Sequence, residues 1–429
     1  MSRPSRRLRK GLMLLLCLLV TPDAVARVSP GPAAPQAGAR RPLRMLALGD
    51  SVVWGQGLLD EHKFSYKLRD WLCAQRAAAS SCPDGQDVQL HVEAHSGAVI
   101  SKPDKRRERE EEARFTRADS PVRFPGEVNN AFPTMWGQLE LARRHYQSLS
   151  VPPGEVDLVI VNGGINDMNA ARLLVSRLFG GDVKRLARKY SGDEMRRFLL
   201  AVADAFPNAR IIVPGYFPLV SESTPPFILF ETIKEWLFGA ERVEARVFGA
   251  FQEDWFRRPG ESEAAAAART TLTMRRLAER SREFVEASNE ALADAVKHLN
   301  ERRPALAARP AGSGAPPPAA TLRGHFVPIP FGPENAYAAP RSFLWKLGRK
   351  SPTLALKCAD DNLITRFVVN DDVQATRPCM CDQAGRRNDP VCFRAGAFHP
   401  NREGSNAYFE AMRDKLAGVI AHTGWAAPD

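Results

Sequence analysis

Four short blocks of this 429-residue chain hold side chains suited to chemistry at a carbonyl group. Gly49-Asp50-Ser51 follows an apolar run, Leu43-Arg44-Met45-Leu46-Ala47-Leu48, and puts a hydroxyl where a strand should give way to a helix. The first N–H groups of a helix have no partner inside it, so they are free to stabilise an oxyanion beside that hydroxyl. His95-Ser96-Gly97 follows a second run at Val88-Gln89-Leu90-His91-Val92. Asn162-Gly163-Gly164-Ile165-Asn166-Asp167 follows a third, from Val156 to Val161, and His399-Pro400-Asn401 lies near the C-terminus. Gly-Asp-Ser alone is a common turn. The signal is in the company it keeps: a neutral amide, two glycine-bearing loops and an imidazole.

The elements that must bring these blocks together can be read from hydrophobic periodicity. Short apolar runs predict buried strands at 43–48, 88–92, 156–161 and 211–213, with a weaker one at Phe326-Val327-Pro328-Ile329. Helical spacing recurs in Met195, Phe198, Leu199, Val202 and Phe206, and in a longer stripe of Met274, Leu277, Phe284, Val285, Leu292, Val296 and Leu299. A last helical pattern, Ala407, Met412, Leu416 and Val419, follows His399. Strands alternating with helices predict an α/β fold: a three-layer α/β/α sandwich around a mostly parallel sheet. In such a sheet ligands bind beyond the carboxyl ends of the strands, where three of the four blocks fall. There is no internal repeat. One domain over 43–429 is expected, with insertions at about 101–135 (a mixed charge run), 217–270 and 305–320 (Pro/Ala/Gly-rich). The 217–270 insertion is aromatic-rich, with Phe227, Phe230, Trp236, Phe248 and Trp255 among others, and suits either a packed helical cap or a wall for apolar acyl chains.

In these blocks the chain resembles the SGNH (GDSL-type) hydrolase family, whose four motifs centre on Ser, Gly, Asn and His. Gly49-Asp50-Ser51 matches the first and Gly97 the second; Gly164-Ile165-Asn166-Asp167 matches the third and His399-Pro400 the last. The resemblance implies a flavodoxin-like sandwich and a serine esterase or lipase that forms an acyl-enzyme on Ser51, with His399 as general base. It also implies an oxyanion hole from the N–H groups of Ser51 and Gly97 and the side-chain amide of Asn166, and it implies no cofactor and no metal. Glycine lets backbone approach a substrate closely, and asparagine donates without titrating. Within the family the resemblance is to secreted bacterial esterases and lipases with three disulfides, on Gly215-Tyr216-Phe217-Pro218, a downstream helix carrying Asn289, and Gly404 after His399-Pro400-Asn401.

One position departs from the family. Its last motif usually has an acid three residues before the histidine, and here that residue is Gly396. Either a backbone carbonyl, Gly396's own being the candidate, accepts the Nδ1 proton of His399 in a Ser–His dyad, or Asp372 or Asp389 folds in as the third member. The dyad is the favoured reading. Asp50 and Asp167 are expected to brace their loops, and His95 to be a hydrogen-bonded structural residue.

Residues 1–26 have the layout of a secretory signal peptide: Arg3, Arg6, Arg7, Arg9 and Lys10, then the apolar run Gly11 to Val20, then Ala24-Val25-Ala26. Residues 27–42, rich in Pro, Ala and Gly, read as a flexible linker. Export to the periplasm or beyond agrees with six cysteines in the remainder, Cys73, Cys82, Cys358, Cys379, Cys381 and Cys392, an even set for disulfides. Cys73–Cys82 is the one pairing expected, because it closes a short local loop. A zinc site on Cys379-Met380-Cys381 with Cys392 is a rival, but zinc usually takes a close cysteine pair with two to four residues between them, and here only Met380 intervenes. The net charge of +11, part of it in the leader, favours loose association with anionic surfaces. No basic block is interleaved with aromatics, so nucleic acid is not an expected partner; the expected partner is a small-molecule or lipid ester, met by a monomer. A carbohydrate O-acetylesterase or acyltransferase using the same residues, and a non-catalytic cell-envelope binding protein, are the alternatives.

Overall fold

The computed structural model describes residues 41–76, 87–101, 126–168, 173–174, 183–239, 253, 255–303, 322–349, 367–386 and 389–423. The chain divides into two units, Met1–Arg41 and Pro42–Asp429. The signal peptide and most of the linker expected above lie outside the described residues, as do 305–320 and most of 101–135.

The second unit is built on a five-stranded sheet, β1 (Leu43–Gly49), β2 (Val88–Val92), β3 (Leu158–Asn162), β4 (Arg210–Pro214) and β5 (Gly324–Val327). The strands lie in the order β2-β1-β3-β4-β5, and every neighbouring pair is parallel. This is the expected α/β class. β3 and β4 are buried at every residue, which is why they read as unbroken apolar runs rather than alternating ones. β3 starts at Leu158 rather than Val156, because the Asp157 carboxylate accepts the Arg44 N–H as the strand enters the sheet. β5 stops at Val327, before Pro328, which has no N–H to give a ladder.

Helices cover both faces of this sheet. The chain forms α1 (Ser51–Trp54), α2 (Phe64–Arg76), α3 (Met135–Ser148), α4 (Ile165–Met168), α5 (Val183–Ala187) and α6 (Met195–Ala205). Then come α7 (Pro226–Gly239), α8 (Glu263–Arg302), α9 (Arg377–Gln383), α10 (Pro390–Phe393) and α11 (Arg402–Thr423). α2 and α11 pack together on one side; α5, α6 and α8 pack together on the other, α8 reaching β5. The right-handed crossovers of a 2-1-3-4-5 order require this split. The stripe from Met274 to Leu299 is the core-facing side of the 40-residue α8, capped by Ser262, whose hydroxyl accepts the Ala265 N–H. A small antiparallel pair, β6 (Leu347–Arg349) and β7 (Phe367–Val369), was not anticipated; three-residue strands are too short to show a pattern. No helix among the described residues is long and apolar enough to cross a membrane.

Cys381 and Cys392 form a disulfide that ties α9 to α10. Cys73 and Cys379 are also disulfide-bonded, so no thiolate remains at 379, 381 or 392 for the rival zinc site. Cys82 and Cys358 lie outside the described residues, and the Cys73–Cys82 pairing with them.

Candidate active site

The strand order reverses between β1 and β3, since the chain leaves β1 for one edge and later returns to the other side of it. The crevice at such a switch point lies beyond the strands' carboxyl ends. Ser51 opens α1 immediately after β1, with Asp50 as N-cap accepting the Val52 N–H at 2.9 Å. As the first residue of a helix, Ser51 has an N–H with no acceptor inside that helix. Gly49 makes the tight exit: a Cβ there would run into the Asn162 carbonyl and the Val53 side chain. Gln138 of α3 brackets the same glycine, accepting its N–H at 2.8 Å and donating to its carbonyl at 2.9 Å.

The loops after β2 and β3 are held to this turn by two acids, buried Asp50 and half-buried Asp167, and by a tyrosine. Gly97 sits at φ +81 between Asn129 and Asn130, where a Cβ would collide with both, so only glycine fits. Asp167 accepts the N–H groups of Ile100 and Ser101, each at 2.9 Å, joining the β3 loop to the β2 loop. The Asn166 side chain donates to the Ala98 carbonyl at 2.9 Å, a bond that uses one of its two amide hydrogens. Tyr216 donates to Asp50 at 3.0 Å and accepts the Ile165 N–H at 3.2 Å, and Asn289 of α8 brackets Tyr216's own backbone. Burial pushes Asp50 up to about 7, against the opposing pull of these donors. The bracing expected of Asp50 and Asp167 is what the geometry contains. His95 is buried, and its Nδ1 faces the Ser96 carbonyl.

From the far end of the chain, His399 brings Nε2 to 2.7 Å from Ser51 Oγ. Its Nδ1 lies 3.0 Å from the Ala397 carbonyl. A carbonyl only accepts, so Nδ1 carries the proton and Nε2 is left to accept from the serine. Burial, with Arg377 nearby as a lesser cause, pushes His399 down to about 4, so the ring is neutral at ordinary pH. The arrangement is that of the dyad expected from the sequence, with a backbone carbonyl on Nδ1. The carbonyl in hydrogen-bonding contact with Nδ1 is that of Ala397, while the Gly396 carbonyl accepts the His399 backbone N–H at 3.1 Å. Neither carboxylate considered as a third member faces the ring. Asp372 binds His62 at 2.8 Å and Arg402 at 2.9 Å, and Asp389 pairs with Arg386 and accepts the Val391 N–H at the start of α10.

The histidine's segment is pinned on its other side. Phe398 takes φ +66, a conformation a bulky residue adopts at a cost of about 1–3 kcal/mol, and its ring stacks on Tyr337 at 4.0 Å. Trp345 exchanges backbone hydrogen bonds with Phe398 and His399, and Asn401 donates to the Phe343 carbonyl. None of these partners carries a sequence signal of its own.

No protein-family model matches the chain, and no curated protein matches it. Among solved structures it is similar to an extracellular lipase from Streptomyces rimosus, at 11% identity and a TM-score of 0.35, over 87% of this chain and 99% of that one. It is similar to a phospholipase A1 from Streptomyces albidoflavus at 10% identity and a TM-score of 0.36, over 87% and 99% of the two chains. A carbohydrate esterase family 2 enzyme from Corynascus thermopiles is similar at 13% identity and a TM-score of 0.33, over 89% and 68%. These likenesses are too shallow to assign an activity. That rests on the site.

Proposed function

We propose that the protein is an exported serine hydrolase of the SGNH type that cleaves carboxylic esters through an acyl-enzyme. The reading is carried by one observation, the 2.7 Å contact between His399 Nε2 and Ser51 Oγ, with the ring's tautomer fixed by the Ala397 carbonyl. Ser51 Oγ attacks the ester carbonyl as Nε2 takes its proton. The tetrahedral oxyanion is met by the N–H groups of Ser51 and Gly97 and the second amide hydrogen of Asn166. Collapse expels the alcohol, which leaves with the proton from Nε2. Water then attacks the acyl-enzyme, His399 again acting as base, and the acid departs. The chemistry needs a nucleophile, a base and neutral donors, all of which this chain's own residues can supply.

A fluorophosphonate probe should form one adduct, located by peptide mass spectrometry on Ser51. Ser51→Ala and His399→Ala should each lose about 10⁴–10⁶ in kcat on a p-nitrophenyl ester. Asn166→Ala should lose about 10²–10³ in kcat, the usual cost of one oxyanion donor. A reactive wild type with no adduct on Ser51 defeats the proposal. An acyl-chain-length series on the same chromophore would separate lipase-like from acetylesterase behaviour.

A further inference from the structure

Arg377 opens α9 as one of the largest fully buried side chains of the protein, and it is held between two buried carboxylates. Its Nη1 binds Asp371 Oδ2 at 2.5 Å and its Nη2 binds Glu127 Oε2 at 3.0 Å; the three side chains are 1%, 0% and 5% exposed. Three charges this far from water are costly unless the geometry is worth keeping, so the cluster invites a reason.

Each carboxylate touches a different half of the candidate site. Glu127 Oε1 accepts the Trp54 indole N–H at 3.0 Å and the Gly57 N–H at 3.2 Å, and its backbone carbonyl accepts the Gln56 side chain at 3.2 Å. Trp54 ends the helix that Ser51 begins, and Gln56 and Gly57 follow at once, so Glu127 holds the nucleophile's segment. Asp371 lies against the histidine's segment. A Cβ on Gly396 would collide with Asp371 Oδ2 and come within 3.3 Å of Arg377 Nη1. Gly396 is three residues before His399, and its carbonyl accepts the His399 N–H. The volume that a side chain at 396 would fill is therefore taken by a carboxylate contributed from 25 residues upstream in the chain. Asp371 Oδ1 is buried without a hydrogen-bond partner, an expense with no return for packing alone.

We propose that the Glu127–Arg377–Asp371 cluster positions His399 against Ser51, with Asp371 standing where an acid at position 396 would stand. The inference rests on the hydrolase reading of that site and adds three positioning residues to it. None of them touches the reacting atoms. The planar guanidinium, with two forked N–H pairs, spans both carboxylates at fixed spacing, which a lysine could not do. The span sets the separation of the two segments that carry the hydroxyl and the imidazole.

Asp371→Asn keeps shape while removing charge, and kcat should be measured per active site titrated with fluorophosphonate, so that misfolded molecules are not counted. The expected result is a loss of about ten- to a hundredfold in kcat with KM little changed, as for a misaligned catalytic pair. The paired variant Asp371→Gly with Gly396→Asp moves the carboxylate onto the histidine's own segment beside Arg377, and should regain most of that loss. Unchanged kcat per titrated site in Asp371→Asn, or no recovery in the swap, overturns the inference. The His399 Nδ1–H proton resonance gives a readout independent of turnover. If wild type proves inactive and unlabelled, the hydrolase reading fails alone. The positioning claim then stands if Asp371→Asn shifts or broadens that resonance, and falls if it does not.

Discussion

At His399 two effects oppose each other. Loss of water disfavours the imidazolium and pushes the ring down to about 4, while the Ala397 carbonyl on Nδ1 favours it. Burial is the larger, so the folded ring holds its proton less well than an ordinary histidine at 6.5. A general base acts in its neutral form, which exists above its pKa. The acid limb of kcat/KM should therefore fall as pH drops through about 4, and esterase assays from pH 3.5 to 8 would check it; a limb centred near 6.5 would contradict the burial argument. Ser51, Gly97, Asn166 and His399 stood out in the sequence because the chemistry proposed for them depends on residue type. The orienting group was not, since a backbone carbonyl can come from any residue. Asp372 and Asp389 were plausible by type alone, and their real partners, Arg402 with His62 and Arg386, come from elements that the sequence does not place beside them.

Among the elements, the turn from β1 into α1 depends most on a distant partner. Gly49 donates to Gln138 Oε1, while its carbonyl accepts from Gln138 Nε2 and also from the His95 N–H at 3.0 Å. Gln138→Leu would orphan the buried Gly49 N–H but leave the carbonyl satisfied. It should cost about 1–3 kcal/mol in urea denaturation and also lower kcat, because the same turn carries Ser51. A stability equal to wild type would mean that the turn is held by the sheet alone. The inner strands β1, β3 and β4 could be read from apolar runs, since both their faces are covered. β6, β7 and the π-helical turn Arg188–Glu194 before α6 could not, because their formation answers to packing rather than to period.

For the molecule as a whole, the carboxyl-terminal quarter has to be folded back against the first strand. The Cys381–Cys392 bridge links cysteines 11 positions apart, between the helix that Arg377 opens and the segment that leads into His399. Replacing both cysteines by serine should lower stability by about 2–3 kcal/mol, measured by denaturant unfolding under non-reducing conditions, and should cut kcat as the histidine's segment loosens. No loss in either would place the bridge outside the machinery. The sequence by itself determined the fold class, the strands that end at the site and the residue types able to act there, because periodicity and chemical type are local properties. Only the tertiary structure decided which carbonyl holds the imidazole, which carboxylate fills the gap beside Gly396 and that residues 348 positions apart meet at 2.7 Å. Those are outcomes of packing, in which any buried group of fitting shape and charge can take the place, from anywhere in the chain.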